Sequence, residues 1–349
     1  MKAVLWEAKR LFAIRDLADP SPAPNEVLIR LTRAGICGSD MHLYRDGRIG
    51  PLTIEKPFII GHECAGRVIG AGASVDKNLI GRRVAVEPHI HCGRCEWCVR
   101  GHINLCPHGL FMGLPPLQGA MRELLVHPAH LVEPIPDSLP DESAVVLEPM
   151  SIALHAVRLV KPHKAGTAVI LGVGVLGICV LSILRLFKGM RIICVDLMPD
   201  RIERAKRIGA DEAILANPRN RMDSVIKAKD LAGGYGADLV FECAGDSDTL
   251  HDMCEIAAPG AQVAVIGTPT DDCVGFASSS ARRKGLTIKF VRRGLNTLKD
   301  AISLAVRQHI VPDSLVTHVM PPSESAQAFD LVDRREDGVL KAIINLEQF

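Results

Sequence analysis

The sequence predicts an α/β protein in which a doubly wound parallel sheet is inserted into an irregular antiparallel β-barrel. Three observations lead there. Residues 168–290 alternate short apolar runs with amphipathic stretches, one strand about every 25 residues, which is the rhythm of βαβ crossovers. The first 150 or so residues instead carry short strands cut by Gly and Pro, as in a barrel with irregular turns. Beyond about residue 293 the pattern turns mixed again, so the first domain resumes after the insertion.

The elements follow in chain order. VLIRLTR (27–33), GRVIG (66–70) and RRVAV (82–86) are the barrel strands. AVIL (168–171), RIICV (191–195), AIL (213–215), DLVF (238–241), QVAVI (262–266) and LTIKF (286–290) are the six strands of two mononucleotide-binding halves. A helix near 296–309 and a strand around LKAIINL (340–346) complete the chain. The expected division is 1–153 with 293–349 for the barrel domain and 154–292 for the inserted one.

The 349 residues are enough for two separate cores. With 48% hydrophobic and 23% charged residues and a net charge of +1, nothing points to a nucleic acid or a membrane surface as partner. The start, MKAVLWEAKRLF, lacks an apolar core of signal-peptide length, and no window is long enough to span a bilayer. Eleven cysteines is an odd number, and those outside one tight cluster lack disulfide-like spacing. Cys179, Cys194 and Cys243 sit in apolar runs, where a reduced thiol behaves as a small hydrophobe. A reducing cytoplasm is the expected compartment.

The cluster is Cys92, Cys95, Cys98 and Cys106 in HCGRCEWCVRGHINLC. Such spacing lets four thiolates converge on one tetrahedral zinc, with Gly93 and Gly101 permitting the tight turns. Four thiolates leave no open coordination position, so this zinc is expected to be structural.

The dinucleotide signal lies in AVILGVGVLGICVLSILRLF. Gly172-x-Gly174-x-x-Gly177 stands between a strand and an apolar helix, where the glycines allow a tight turn, close approach of a pyrophosphate and helix–strand packing. The helix N-terminus supplies oriented N–H groups to the phosphates. Asp196, nineteen residues after Gly177, ends the next strand and suits the adenosine ribose hydroxyls while repelling a 2′-phosphate. Arg201 could welcome that phosphate, pair with Asp196 or stack on adenine; the reading favours NAD over NADP.

A second metal is expected from AGICGSDMH (34–42), GHECAGRVIGAGASV (61–75) and VLEPMS. Cys37, His62, Glu63 and Glu148 offer soft and borderline ligands for a catalytic zinc, with Ser39 beside them. Three protein ligands and one open position would let the ion lower the pKa of an alcohol, so that hydride can leave its carbon for the nicotinamide ring.

Together, the GHE-x2-G-x5-G-x2-V stretch, the four-cysteine knuckle and GVGVLG before VD resemble the zinc-dependent medium-chain alcohol dehydrogenases, from about Ala34 through the final strand. CGSDMH with GRIG, AVEP, LEPMSIALHA and LVTH resembles the sorbitol (polyol) dehydrogenase branch. The resemblance implies a GroES-like barrel interrupted by a Rossmann domain, with the active site in the cleft between them. It makes Cys37 and His62 metal ligands and places both Glu63 and Glu148 near the metal, one of them ligating directly. Ser39 would receive the alcohol proton and pass it towards His42. Leu176, Asp196 and Arg201, with Ile266, Gly267, Thr268, Val291, Arg292 and Arg293, would line the NAD cleft. Arg293 and Glu148 would also meet substrate hydroxyls, and a homodimer or homotetramer is implied.

Two departures from the sorbitol-type pattern appear. Leu43 stands where a Tyr is usual, and Gly294 follows the substrate arginine where an aromatic is frequent. Both imply a less polar, roomier distal pocket. The complete knuckle resembles bacterial or fungal members more than animal ones. The leading expectation is oxidation of a secondary alcohol of a polyol or sugar alcohol. A threonine-type enzyme, with Arg293 or Arg48 as carboxylate anchor, and a butanediol-type enzyme share the same machinery. A non-catalytic zinc-stabilised dinucleotide binder is the reading from another class, and joint retention of Cys37, Ser39, His62 and Glu148 argues against it.

Overall fold

The strand Glu26–Gly35 organises the first unit, because Val27, Ile29 and Leu31 alternate into the core while Arg30 between them stays exposed. One edge pairs antiparallel with Glu63–Ala71, which in turn pairs with Arg83–Val86 and then Val132–Pro134. The other edge is shared by Leu124–Pro128 along its first half and Lys341–Asn345 along its second. This computed structural model describes residues 1–54, 57–162, 166–269, 273–307 and 315–349.

One pair departs from the antiparallel expectation: Val316–Met320 runs parallel to Lys341–Asn345. The helix Ser325–Arg334 lies between them in sequence, and a helical crossover returns the chain in the same direction. Tyr44, Leu43, Ile60, Met121 and Ile344 fill the core of this unit. The helix Gly38–Asp46 is closed at its start by a box between Cys37 and Asp40 and at its end by Gly47 at φ 69°.

In the second unit the six predicted strands all form. They are Thr167–Leu171, Arg191–Asp196, Glu212–Leu215, Ala237–Glu242, Ala257–Val265 and Thr287–Phe290. All are parallel, and their spatial order by chain position is 3-2-1-4-5-6, the doubly wound arrangement. The fifth strand starts earlier than the 262–266 expected, because Ala257 already pairs with Ala237 across an irregularity in register. Val169, Ile193, Val240 and Val263 are wholly buried, as strands covered on both faces require.

The compact units are Met1–Glu148 with Leu298–Phe349, and Pro149–Thr297. The sequence placed the boundaries at 153 and 292, five residues away on each side, inside the helix Leu147–Val160 and just before the helix Leu298–Arg307. Helical periodicity runs through the first of these joints without a break, so composition gives no mark of it. The last two residues of the predicted helix 296–309 lie outside the described residues. Among the described residues no helix is long and apolar enough to cross a membrane.

Candidate active site

The four-cysteine lobe is held by the short helix Glu96–Val99 and the hairpin of His89–Ile90 with Leu110–Phe111. Sγ separations are 3.4 Å for Cys95–Cys98, 3.8 Å for Cys95–Cys106 and 4.0 Å for Cys92–Cys98. A tetrahedron with bonds of about 2.3 Å has edges of about 3.8 Å, so the thiols have the spacing of a zinc shell. All four are free thiols and lie within 4.8 Å of one another. The backbone N–H groups of Arg94 and Cys95 draw the pKa of Cys92 down, whereas burial and the neighbouring thiols push Cys98 up to about 12. These four residues fit structural zinc.

The other metal-ligating group is Cys37, His62 and Glu63, whose ligand atoms also lie within 4.8 Å of one another. Three different elements deliver them. Cys37 caps the helix Gly38–Asp46, His62 follows Gly61 in a loop, and Glu63 opens the strand Glu63–Ala71. Asp40 ties the first two together. Its Oδ2 accepts the Cys37 N–H at 2.9 Å, and its Oδ1 stands 3.5 Å from His62 Nδ1. A carboxylate behind an imidazole fixes the orientation of the ring for a metal. Burial alone would lower the proton affinity of His62, yet Asp40 and then Cys37 outweigh it and raise its pKa well above the usual value. A field that holds a proton so firmly suits a divalent cation in its place.

Glu63 forms a buried ion pair with Lys341, which also donates to the Ile36 carbonyl at 3.0 Å. Both side chains are almost inaccessible, at 1% and 2%. Burial works against the Lys341 charge, but Glu63 raises its pKa, so the ammonium persists. Gly35 leaves the room for this pair, since a Cβ there would sit 2.5 Å from Glu63 Oε2. Glu148 lies in the first turn of the helix Leu147–Val160, outside the trio but within the electrostatic reach of His62 and Glu63. Burial pushes its pKa up to about 8. Ser39 and His42 stand three residues apart on the helix that Cys37 caps, which puts them on one face. The ring of Phe111 is 5.0 Å from the ring of His62, so this residue walls one side of the cluster.

The dinucleotide turn is built as its glycines require. Gly172 has φ 86°, and a Cβ there would meet Ala244 at 2.9 Å. A Cβ on Gly177 would collide with the Gly172 carbonyl. Gly174 caps the helix Val175–Leu184, whose first turn holds Leu176, and among the described residues only the Arg201 guanidinium, at 3.6 Å, faces the Cβ position of Gly174. Asp196 accepts the N–H of Val173 at 2.7 Å and that of Met198 at 2.9 Å, with Arg201 Nη1 3.8 Å away. Ile266, Gly267 and Thr268 follow the fifth strand, and Val291, Arg292 and Arg293 follow the sixth. All therefore stand at the carboxyl ends of parallel strands, where ligands of doubly wound sheets bind. Arg293 has φ 55°, a strained backbone of the kind that collects at ligand sites. The open cradle at Gly174 and the carboxylate at the second strand end fit NAD.

Two expectations about the distal pocket change. Leu43 is wholly buried in the barrel core among apolar side chains. At Gly294 a Cβ would sit 2.9 Å from Ser151 Oγ and 2.8 Å from Thr297 Oγ1, so hydroxyls already take that space. Neither position opens a roomier cavity. Sequence reasoning missed Asp40 and Lys341. Asp40 carries a local signal, an acid three residues after the helix cap.

Residues 23–137 match the alcohol dehydrogenase GroES-like domain family, and residues 175–307 the zinc-binding dehydrogenase family. A sorbitol dehydrogenase of Bacillus subtilis (strain 168) is 33% identical over 344 residues, covering 99% of this chain and 97% of the relative. The chain belongs to the zinc-dependent alcohol dehydrogenase family. Among solved structures, an Escherichia coli oxidoreductase/dehydrogenase of unknown specificity superposes on this alcohol dehydrogenase fold with a TM-score of 0.92 at 28% identity. That match covers 99% of this chain and 98% of the other. An alcohol dehydrogenase from E. coli CFT073 complexed with NADH gives 0.88 at 28% identity, with 99% of both chains covered. This dehydrogenase has zinc and NAD as its cofactors and a small-molecule alcohol as its substrate.

Proposed function

We propose that the enzyme oxidises a secondary alcohol of a polyol or sugar alcohol to the ketone, with hydride passing to NAD. The convergence of Cys37, His62 and Glu63 carries this reading, because three ligands of mixed softness leave a coordination position for substrate. The likeness to a sorbitol dehydrogenase supports the polyol class.

When bound there, zinc supplies a Lewis acid that lowers the pKa of the substrate hydroxyl, and NAD supplies the hydride acceptor. The chain does the rest. Asp40 holds the His62 ring, and Lys341 holds Glu63 in place. Glu148 is the second carboxylate of the site and receives a substrate hydroxyl. Ser39 takes the proton leaving the alcohol, and His42 moves it on to solvent. Phe111 keeps water away from the His62 side. Asp196 binds the ribose hydroxyls and disfavours a 2′-phosphate. Arg293 is the proposed partner of a further substrate hydroxyl. The free thiols among the described residues support a cytoplasmic enzyme, and family likeness supports a homodimer or homotetramer.

The test is NADH absorbance across a panel of polyols, simple diols, amino alcohols and primary alcohols. Polyols should exceed ethanol and benzyl alcohol in kcat/KM, since a site built for neighbouring hydroxyls leaves polar groups unpaired without them. Equal values for ethanol and the best polyol overturn the polyol assignment. A strong preference for L-threonine replaces it with an amino-alcohol substrate.

A further inference from the structure

Glu242, the last residue of the strand Ala237–Glu242, is fully buried, yet the chemistry above gives it no task. Its Oε1 accepts the N–H of Ala244 at 2.9 Å and of Gly245 at 2.8 Å, and the Thr249 hydroxyl, whose one proton it shares with the Asp246 carbonyl at 2.9 Å, lies 2.8 Å away. Its main-chain carbonyl accepts from Ile266 at 2.8 Å and Gly267 at 3.1 Å. The neighbouring Cys243 N–H bonds the Leu171 carbonyl at 2.8 Å, beside Gly172. Glu242 and Cys243 together therefore join the carboxyl ends of the first, fourth and fifth strands in chain order.

The three turns that leave those ends are packed without slack. A Cβ on Gly172 would meet Ala244 N at 2.9 Å, and one on Gly245 would meet the Thr268 N and O at 2.8 Å. A Cβ on Gly267 would strike Gly245 and stand 2.8 Å from Glu242 Oε2. Any shift of the Ala244–Gly245 turn thus passes to both the Gly172 turn and the Ile266–Thr268 segment. Among the described residues, no Lys, Arg or His forms an ion pair with Glu242, and its Oε2 has no hydrogen-bond partner. An ion pair cannot be why an acid stands here. What the position uses is one oxygen that accepts two backbone donors and faces the Thr249 hydroxyl as well.

We infer that Glu242 is a positioning residue for the cofactor: its carboxyl oxygen fixes the Ala244–Gly245 turn, and through that turn sets the Gly172 and Ile266–Thr268 segments at the spacing the dinucleotide needs. The inference rests on the dinucleotide reading of the second unit. Burial also raises the pKa of Glu242 against the pull of Thr249, Gly245 and Ala244, which suits a role that does not depend on charge. A glutamine, with its carbonyl oxygen in place of Oε1, would then serve.

The experiment is fluorescence titration of the zinc-loaded enzyme with NADH, alongside KM for NAD, kcat and thermal unfolding, for wild type, Glu242→Gln, Glu242→Leu and Thr249→Val. Glu242→Leu leaves two backbone donors without their acceptor and should weaken NADH binding about tenfold or more, KM for NAD rising in parallel. Its kcat at saturating NAD should stay within about threefold of wild type, because the alcohol site is untouched. Glu242→Gln should bind within about threefold of wild type, and Thr249→Val, losing the hydroxyl that faces Oε1, should weaken binding about two- to fivefold. Glu242→Leu that unfolds earlier but binds NADH as tightly as wild type overturns the inference, as does Glu242→Gln as weak as Glu242→Leu. Should Glu242→Leu fail to fold, unchanged binding in Thr249→Val overturns it instead. Wild-type enzyme that does not bind NADH overturns the dinucleotide reading itself.

Discussion

The two metal clusters of this dehydrogenase are built by opposite strategies. Cys92, Cys95, Cys98 and Cys106 come from one short stretch, and the turns between them bring the thiols together. Cys37, His62 and Glu63 come from a helix cap, a loop and a strand, held by two residues that are not among the predicted ligands, Asp40 and Lys341. The first cluster is closed and local, so its role is to hold a lobe. The second is charged, largely buried and long-range, and it exists only once the helix cap, the loop and the strand Glu63–Ala71 have been brought together. On the proposed function, stability and reactivity fall to separate metals.

The largest effect should come from breaking the distributed cluster. His62→Ala and Cys37→Ser should each cut kcat by about a thousandfold or more, the loss of several kcal/mol of Lewis-acid assistance. Zinc content should fall from two per chain to one, while NADH binding is retained, because the dinucleotide turn lies in the other unit. Near-normal activity in His62→Ala would remove the catalytic assignment. Mild chelation should follow the same division: one zinc and all activity leave together, while the four-cysteine zinc and the fold remain. If metal analysis shows both ions leaving at one rate, the contrast between closed and open sites fails.

Next in size is Lys341→Met. In metal-free protein it leaves the Glu63 charge buried without a partner and should cost about 3–5 kcal/mol in a denaturant titration, whereas Lys341→Arg keeps the charge and should cost less. Equal stability of Lys341→Met and wild type would show that Glu63 does not need its partner. Asp196→Ala should weaken NAD by about 1–3 kcal/mol and raise relative use of NADP, read as the ratio of kcat/KM for the two cofactors. Better use of NADP by wild type would mean that Arg201, 3.8 Å from Asp196, dominates this turn. The smallest effect is expected for His42→Ala, about three- to tenfold on kcat, since water can replace one member of a proton relay.

How far each part could be read from the sequence follows from locality. The knuckle and the Gly172–Gly177 turn are contiguous, so spacing alone carries their geometry. Six parallel strands were legible because apolar runs covered on both faces need no alternation. Lys341 was not, because a lone lysine in LKAIINL gives no sign of a carboxylate 278 residues earlier in the chain. Glu242 was hidden for a similar reason: it ends an apolar strand, and its work is visible only once Ala244, Gly245 and Thr249 surround it. The boundary at 148 was invisible because one helix runs across it.

The strand Lys341–Asn345 gives the chain a fixed order of assembly. During synthesis the inserted unit, Pro149–Thr297, leaves the ribosome whole and can fold by itself, since its strands pair only with one another. The first 148 residues emerge earlier yet must wait. Their central strand keeps half an edge open, and Glu63 keeps an unanswered charge, until Lys341 has been made. The nascent chain is therefore N-terminally immature and internally complete for the time it takes to add the last segment. Stalled chains released before Lys341 should show protease resistance in the inserted unit and susceptibility in the first 148 residues. The four-cysteine lobe needs no such partner: its ligands all lie within residues 92–106, and it can load its metal as soon as Cys106 is exposed.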